Sequence, residues 1–328
     1  MLRRRVVLGS SFWLPSTTPL STFAQSRASP QRIGMLSGGE LQSNPNWDAF
    51  YASMSGLGYV EGRDVIYERR AARGTPERLP QLARELVATK PRLIVTTGGG
   101  EVLAARQATS TIPIVMIFGT DPVGTGVAVS LARPGGNVTG LTRSIPGFSE
   151  KSLQLLSQAL PAATRIGVLE NSSSLSYSSY RSELDRGAAK LGLALMPSAN
   201  ARRPEELQPA FLKLEQQRPQ ALYVHNDVLF FVQRARVIDF VARAQIPTMY
   251  GFTEDVEAGG LMAFAVELRE LYVRAPTFID KILRGARPAD IPIEQPTRVG
   301  LWINLKTART LKLTIPRALL LQAERVLE

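Results

Sequence analysis

Short apolar runs alternate with longer amphipathic stretches along almost the whole chain. Residues 32–37 (RIGMLS), 65–67, 93–97 (LIVTT) and 112–118 are brief and rich in β-branched side chains, the pattern of strands buried on both faces. Between them, residues 47–57 and 75–87 space their apolar side chains at helical intervals, Pro76 falling in the first turn of the second stretch. Residues 101–108 supply a third helix. The order β-α-β-α-β-α-β predicts a parallel sheet covered by helices on both faces. After residue 118 the run breaks at Gly119-Thr120-Asp121-Pro122, where the chain must leave the sheet. A short helix over 127–132, a stop at Pro134-Gly135-Gly136 and a strand over 137–141 complete this part of the pattern.

The alternation then restarts. RIGVL at residue 165 echoes RIGML at residue 32. Strands are predicted over 165–169, 194–196, 221–225 and 247–251, and helices over 151–160, 178–191, 204–217 and 229–244. The tail adds a strand at 260–266, a helix at 268–283, a strand at 298–303 and a short helix at 307–311. The pattern predicts two similar α/β lobes, with a chain that crosses between them more than once and so builds a hinge.

At 328 residues, with 44% hydrophobic and 20% charged side chains, the composition is that of a globular protein of two ordinary domains. The absence of cysteine excludes disulfides, thiolate nucleophiles and Cys-bound metals, and the single His225 leaves no second imidazole for a His-rich metal site. Neither a metal nor a cofactor is expected. The formal charge of +11 comes from scattered arginines without interleaved aromatics, so nucleic acid is not an expected partner.

Residues 1–24 combine Arg3-Arg4-Arg5, a modest apolar run and small residues ending at Ala24, the layout of a secretory leader cleaved after residue 24. Its removal takes three arginines and no acid, leaving 11 − 3 = +8. The run is too short and broken to span a bilayer, so the expected location is the periplasm.

Candidate binding residues follow from topology. Ligands of open α/β sheets bind beyond the carboxyl ends of strands, where turns and helix N-termini offer unpaired amides. In the first half these turns carry Ser37 and Gly38, Thr97 and Gly98, and Gly119, Thr120 and Asp121. In the second half they carry Asn171, Tyr177, Asn226, Asp227 and Tyr250. Asp121 and Asp227 have an alternative role as caps of the helices that follow. The glycine triple at residue 98 lacks the spacing of either nucleotide fingerprint. Catalysis by these carboxylates is the alternative reading, but no GxSxG elbow or thiol supports it. A transcription regulator would need a helix-turn-helix module that residues 1–30 do not supply.

Three long stretches carry a resemblance: GYVEGRDV at residue 58, ERLPQLARELV at residue 77, and ATSTIPIVMIFGTDPVGTGVAVSLARPGGNVTGLT at residue 108. With GFTEDVEAGGLMAF, FIDKILRGARPADIPIEQPT and LWINLKTARTLKLTIP further on, the chain resembles the TrpX-like family of ABC transporter substrate-binding proteins. The resemblance implies a type I periplasmic-binding-protein fold: two doubly wound parallel-sheet lobes joined by a three-strand hinge, monomeric, closing on a small molecule and docking on a membrane permease. It places lobe I at 31–143 plus 254–287 and lobe II at 144–253 plus 288–328. Where relatives carry a Tyr-Gly-Pro-Asp-type turn, this chain has Phe264-Ala265-Val266-Glu267.

Overall fold

A computed structural model describes residues 29–42, 44–296 and 298–328, and the leader expected over residues 1–24 lies outside them. The first half threads β1 (Gln31–Ser37), α1 (Pro45–Gly56), β2 (Val65–Ala71), α2 (Leu79–Ala88), β3 (Leu93–Thr96), α3 (Gly99–Ala108), β4 (Ile114–Gly119) and β5 (Val138–Thr142). Its five strands pair in the order β2-β1-β3-β4-β5, every pair parallel. Neighbouring residues on each strand face opposite ways, so one run feeds two cores. Val95, Val115 and Ile117 pack against Trp47, Phe50 and Met54 of α1, whereas Ile94, Ile114 and Met116 pack against Leu82 and Leu86 of α2 and Val102 and Ala105 of α3.

The second half continues through α4 (Phe148–Ala159), β6 (Arg165–Glu170), α5 (Tyr177–Leu191), β7 (Ala194–Leu195), β8 (Ala199–Asn200), α6 (Leu207–Gln217) and β9 (Ala221–Val224). Next come α7 (Val228–Val232), α8 (Arg234–Ala244), β10 (Thr248–Tyr250), α9 (Thr253–Glu257), β11 (Met262–Ala265) and α10 (Leu268–Leu283). The tail is β12 (Gly300–Asn304), α11 (Leu305–Thr310), α12 (Arg317–Leu320) and β13 (Ala323–Leu327). Its sheet runs β13-β12-β11-β10-β9-β6-β7, with β8 also on β6 and only β11–β12 antiparallel among the described pairs. Helices again cover both faces: α4 and α5 bury Leu153, Leu156 and Leu184 on one, α6 and α8 bury Phe211, Leu214, Val237 and Phe240 on the other.

Several expectations change. Residues 254–265 do not join the first half: β11 is hydrogen-bonded between β10 and β12, and Val256 of α9 lies in the core of the second sheet. Only α10 returns, laying Phe278, Ile279 and Ile282 beside α1; each such buried side chain contributes on the order of 2 kcal/mol. Residues 288–294 likewise stay with the first half, since Ile291 and Ile293 fill its two cores and Glu294 bridges to Leu141. The connections between the sheets are therefore residues 143–147, 266–267 and 295–299, and they run irregularly among the described residues. The first begins after β5, whose residues Val138–Thr142 belong to the first sheet.

The helix expected at 127–132 is an irregular segment that follows the turns of residues 122–126 and buries Val127 and Ala128. Six residues next to Gly124, Gly126 and Pro134 provide too few bonds to repay nucleation. The single helix expected over 229–244 breaks at Gln233 (φ −94°, ψ 15°) into α7 and α8.

Candidate functional site

The carboxyl ends of β1, β3, β4 and β5 face those of β6 and β9 across a cleft. On the first side, Glu101 in the opening turn of α3 is only 3% exposed. Its Oε1 accepts the Gly38 amide at 2.6 Å and the Thr97 hydroxyl at 3.0 Å, and that hydroxyl also sits 3.2 Å from Ser37 Oγ. A Cβ on Gly38 or on Gly98 would come within 2.7 Å of the Glu101 carboxylate. These glycines therefore make room for a buried acid. Burial pushes the Glu101 pKa upward, partly offset by these hydrogen bonds.

Arg143 leaves the end of β5 and reaches across. Its amide bonds to the Gly119 carbonyl at 3.1 Å, while its guanidinium donates to Asn226 Oδ1 and, at 3.2 Å, to the Asn226 carbonyl. The guanidinium carbon lies 4.8 Å from the Phe252 ring centre and 5.7 Å from that of Phe118. The surface that Arg143 leaves accessible faces the cavity. Burial lowers its pKa to about 10 against the opposing pull of Asp227, Glu101 and Glu254, so it stays charged at neutral pH.

On the second side, Asp227 caps α7 through Leu229 N at 2.9 Å and accepts Asn171 Nδ2 at 3.0 Å on the same oxygen. Gly251 lets Asn226 in close, since a Cβ there would come 2.5 Å from that of Asn226. Behind them the His225 ring stacks on Tyr180 with centroids 3.7 Å apart.

Two adjoining cavities result. One of about 180 Å³ is lined by Glu101, Thr120, Arg143, Asn171 and Asp227, with Leu79, Leu175 and Val232 as apolar wall. The other, about 540 Å³, shares Glu101, Val228 and Val232 and holds Ser37, Thr97, Phe118, Phe252, Glu254 and Tyr272.

Of the residues expected at the site, Ser37, Gly38, Thr97, Thr120, Asn171 and Asp227 line these cavities. Gly98 and Asn226 stand directly behind them, packed on Glu101 and bonded to Arg143. Gly119, Asp121, Tyr177 and Tyr250 line neither. Asp121, at φ 39°, spends Oδ1 on the Gly124 amide at 2.9 Å and so closes its own turn, with no helix following it to cap among the described residues. Tyr177 donates to Glu170 at 2.9 Å, and Tyr250 is 2% exposed in the core of the second sheet. Glu101 and Arg143 were missed; a lone charge just beyond a strand end was the available signal.

His225 makes acid stability a test of this floor. Burial depresses its pKa to about 4, against the pull of Asp227 and Glu170. The folded state then binds fewer protons than the unfolded chain between that value and about 6.5. This contribution is fully present above about pH 6.5 and is lost as pH falls toward 4, on the order of 3 kcal/mol. Urea unfolding at pH 7 and pH 4.5 should show a wild-type loss that His225→Asn reduces; equal losses in both proteins would contradict it.

Two α/β layers closing over a charged, partly apolar cavity define a solute-binding protein. The chain belongs to the family of ABC transporter substrate binding proteins, which its residues 46–327 match. It is 26% identical over 283 residues to a tyrosine-binding protein of Clostridioides difficile (strain R20291), covering 83% of this chain and 79% of that one. An ABC domain of Streptococcus pneumoniae, solved in complex with L-Trp, superposes with a TM-score of 0.82 at 26% identity, over 91% of this chain and all of that one (100%). A conserved domain protein of Vibrio cholerae superposes at 0.83 with 28% identity, over 90% and 99% of the two chains.

Proposed function

We propose that this chain is the exported receptor of an ABC importer, that it closes on an amino acid or a related small metabolite, and that it presents this unaltered to a membrane permease. The observation that carries the reading is Arg143, a guanidinium at the start of the first connection, bonded to Asn226 of the second half with Glu101 and Asp227 beside it. Such a set suits a dipolar head group. An ammonium would face Glu101 and Asp227. A carboxylate would meet the opening amides of α3, the Thr120 hydroxyl and Arg143. The relatives named for tyrosine and solved with L-Trp support this class of ligand.

The two halves act as lobes whose closure the ligand favours by binding the closed form better than the open one. The reading includes a monomer released to the periplasm by removal of residues 1–24. Among the described residues no helix is long and apolar enough to cross a membrane, and no group of acids and histidines could hold a metal ion.

A thermal-shift screen of the purified protein against the common amino acids tests the proposal. A ligand present at about 100 times its Kd should add roughly 2.7 kcal/mol of stability, and should be recovered unchanged. Multiple turnover would overturn the receptor reading in favour of a cleft enzyme. Asp121→Ala should leave the affinity within about twofold, since that side chain is committed to its own turn.

A further inference from the structure

The interior of the closed cleft is short of positive charge. Arg143 faces three carboxylates, Asp227, Glu101 and Glu254. Asp227 and Glu101 are 8% and 3% exposed. Charges withdrawn from water need partners. Among the described residues, Glu101 takes its hydrogen bonds from other residues on Oε1, all from neutral donors, and it lines both cavities. Among the described residues the donors to Glu254 are likewise neutral, Asn46 Nδ2 on Oε1 and Thr253 Oγ1 on Oε2, both at 3.2 Å.

The larger cavity has walls suited to a cation. Phe118, Phe252 and Tyr272 line it together with Glu254, and the first two rings already hold the guanidinium of Arg143. Of the three arginines on its lining, Arg269 is exposed to solvent and the other two are committed elsewhere. Arg234 lies 5.1 Å over the Phe231 ring and bonds the Phe231 carbonyl, and Arg325 lies 4.9 Å over Trp302 with Glu257 at 3.9 Å.

A zwitterionic head group adds no net charge and leaves the deficit in place. We propose that the second cavity is a subsite for an organic cation, so that the ligand class is an amino acid with a basic side chain: its head lies in the first cavity, as in the function proposed above, and its cationic end lies beside Glu254 against the aromatic wall. The inference rests on that reading for the head group, whereas the cation subsite stands on its own lining.

Isothermal titration with L-lysine, L-arginine, L-norleucine, L-tryptophan and agmatine tests both parts. Lysine or arginine should bind at least about 10-fold more tightly than norleucine, which matches lysine's chain without its charge. Glu254→Gln keeps an acceptor for Asn46 and should erase that preference, bringing lysine to the affinity of norleucine in the same variant. Tighter binding of tryptophan or norleucine, or a preference that survives Glu254→Gln, overturns the subsite and leaves the receptor reading standing. Agmatine binding without any amino acid binding supports the subsite and removes the head-group assignment. Failure of all five ligands overturns the subsite.

Discussion

An Arg143→Met protein should bind its ligand about 100-fold more weakly than the wild type, while the ligand-free protein unfolds at nearly the same temperature. Removing one partner from a buried charge cluster costs roughly 3–5 kcal/mol because the remaining charges are left uncompensated. Here those are Glu101, Asp227 and Glu254, which face one another when the lobes meet. The methionine also forfeits both bonds to Asn226. A penalty of about 3 kcal/mol on the closed form alone corresponds to that loss in Kd. Titration calorimetry and thermal unfolding with and without ligand separate the cases. Unchanged affinity would sink the assignment, and a large fall in ligand-free stability would make Arg143 a folding residue rather than a closing one.

The second large effect lies three residues upstream. Gly140→Ala should cost more than about 4 kcal/mol of stability, read as a lower urea midpoint or as loss of soluble protein. Gly140 sits in β5 at φ +123°, a backbone conformation that disfavours side chains, and pairs with Met116 of β4. A Cβ there would collide with the Met116 carbonyl oxygen and approach its amide nitrogen to 2.7 Å. Neither atom can yield without breaking the ladder that aims Arg143. By contrast, Gly62, at φ +81° with open space around it, should tolerate alanine at the cost of backbone strain alone. A Gly140→Ala protein as stable as the wild type would mean that β5 does not adopt this pairing.

What could be read in advance follows a physical division. Runs such as 93–97 and 112–118 announced themselves because strands covered on both faces must be apolar throughout. The five residues of α9 carry a single core side chain apart from its buried polar groups, Val256, and β13 is a half-exposed edge, so neither had a pattern to show. The turns that hold Thr97, Thr120, Asn171 and Asp227 were legible because strand ends are where sheets expose amides. Arg143 was not, since its meaning depends on Asn226, 83 positions away. Glu101 was hidden for a related reason, because the glycines at 38 and 98 suggested space for a ligand when they make space for a carboxylate. The misplaced boundary at residue 254 has the same origin: no local signal says which of two sheets a strand such as β11 will join.

The third connection is pinned before it leaves. Glu294 is bonded on both sides to the β5 backbone, at 3.0 Å to Gly140 and 2.9 Å to Thr142, and by its carboxylate to Arg274 of α10 at 2.9 Å. Gln295 then ties to the Ser144 carbonyl on the first connection at 2.8 Å. The free tether is thus a handful of residues, repeated three times. Short flexible tethers hold their ends at roughly millimolar effective concentration, and three in parallel restrict the search further. Bringing the two halves together is therefore an encounter largely prearranged by the chain, so little of a ligand's affinity is spent on assembling its own site, and most of it remains to discriminate between ligands.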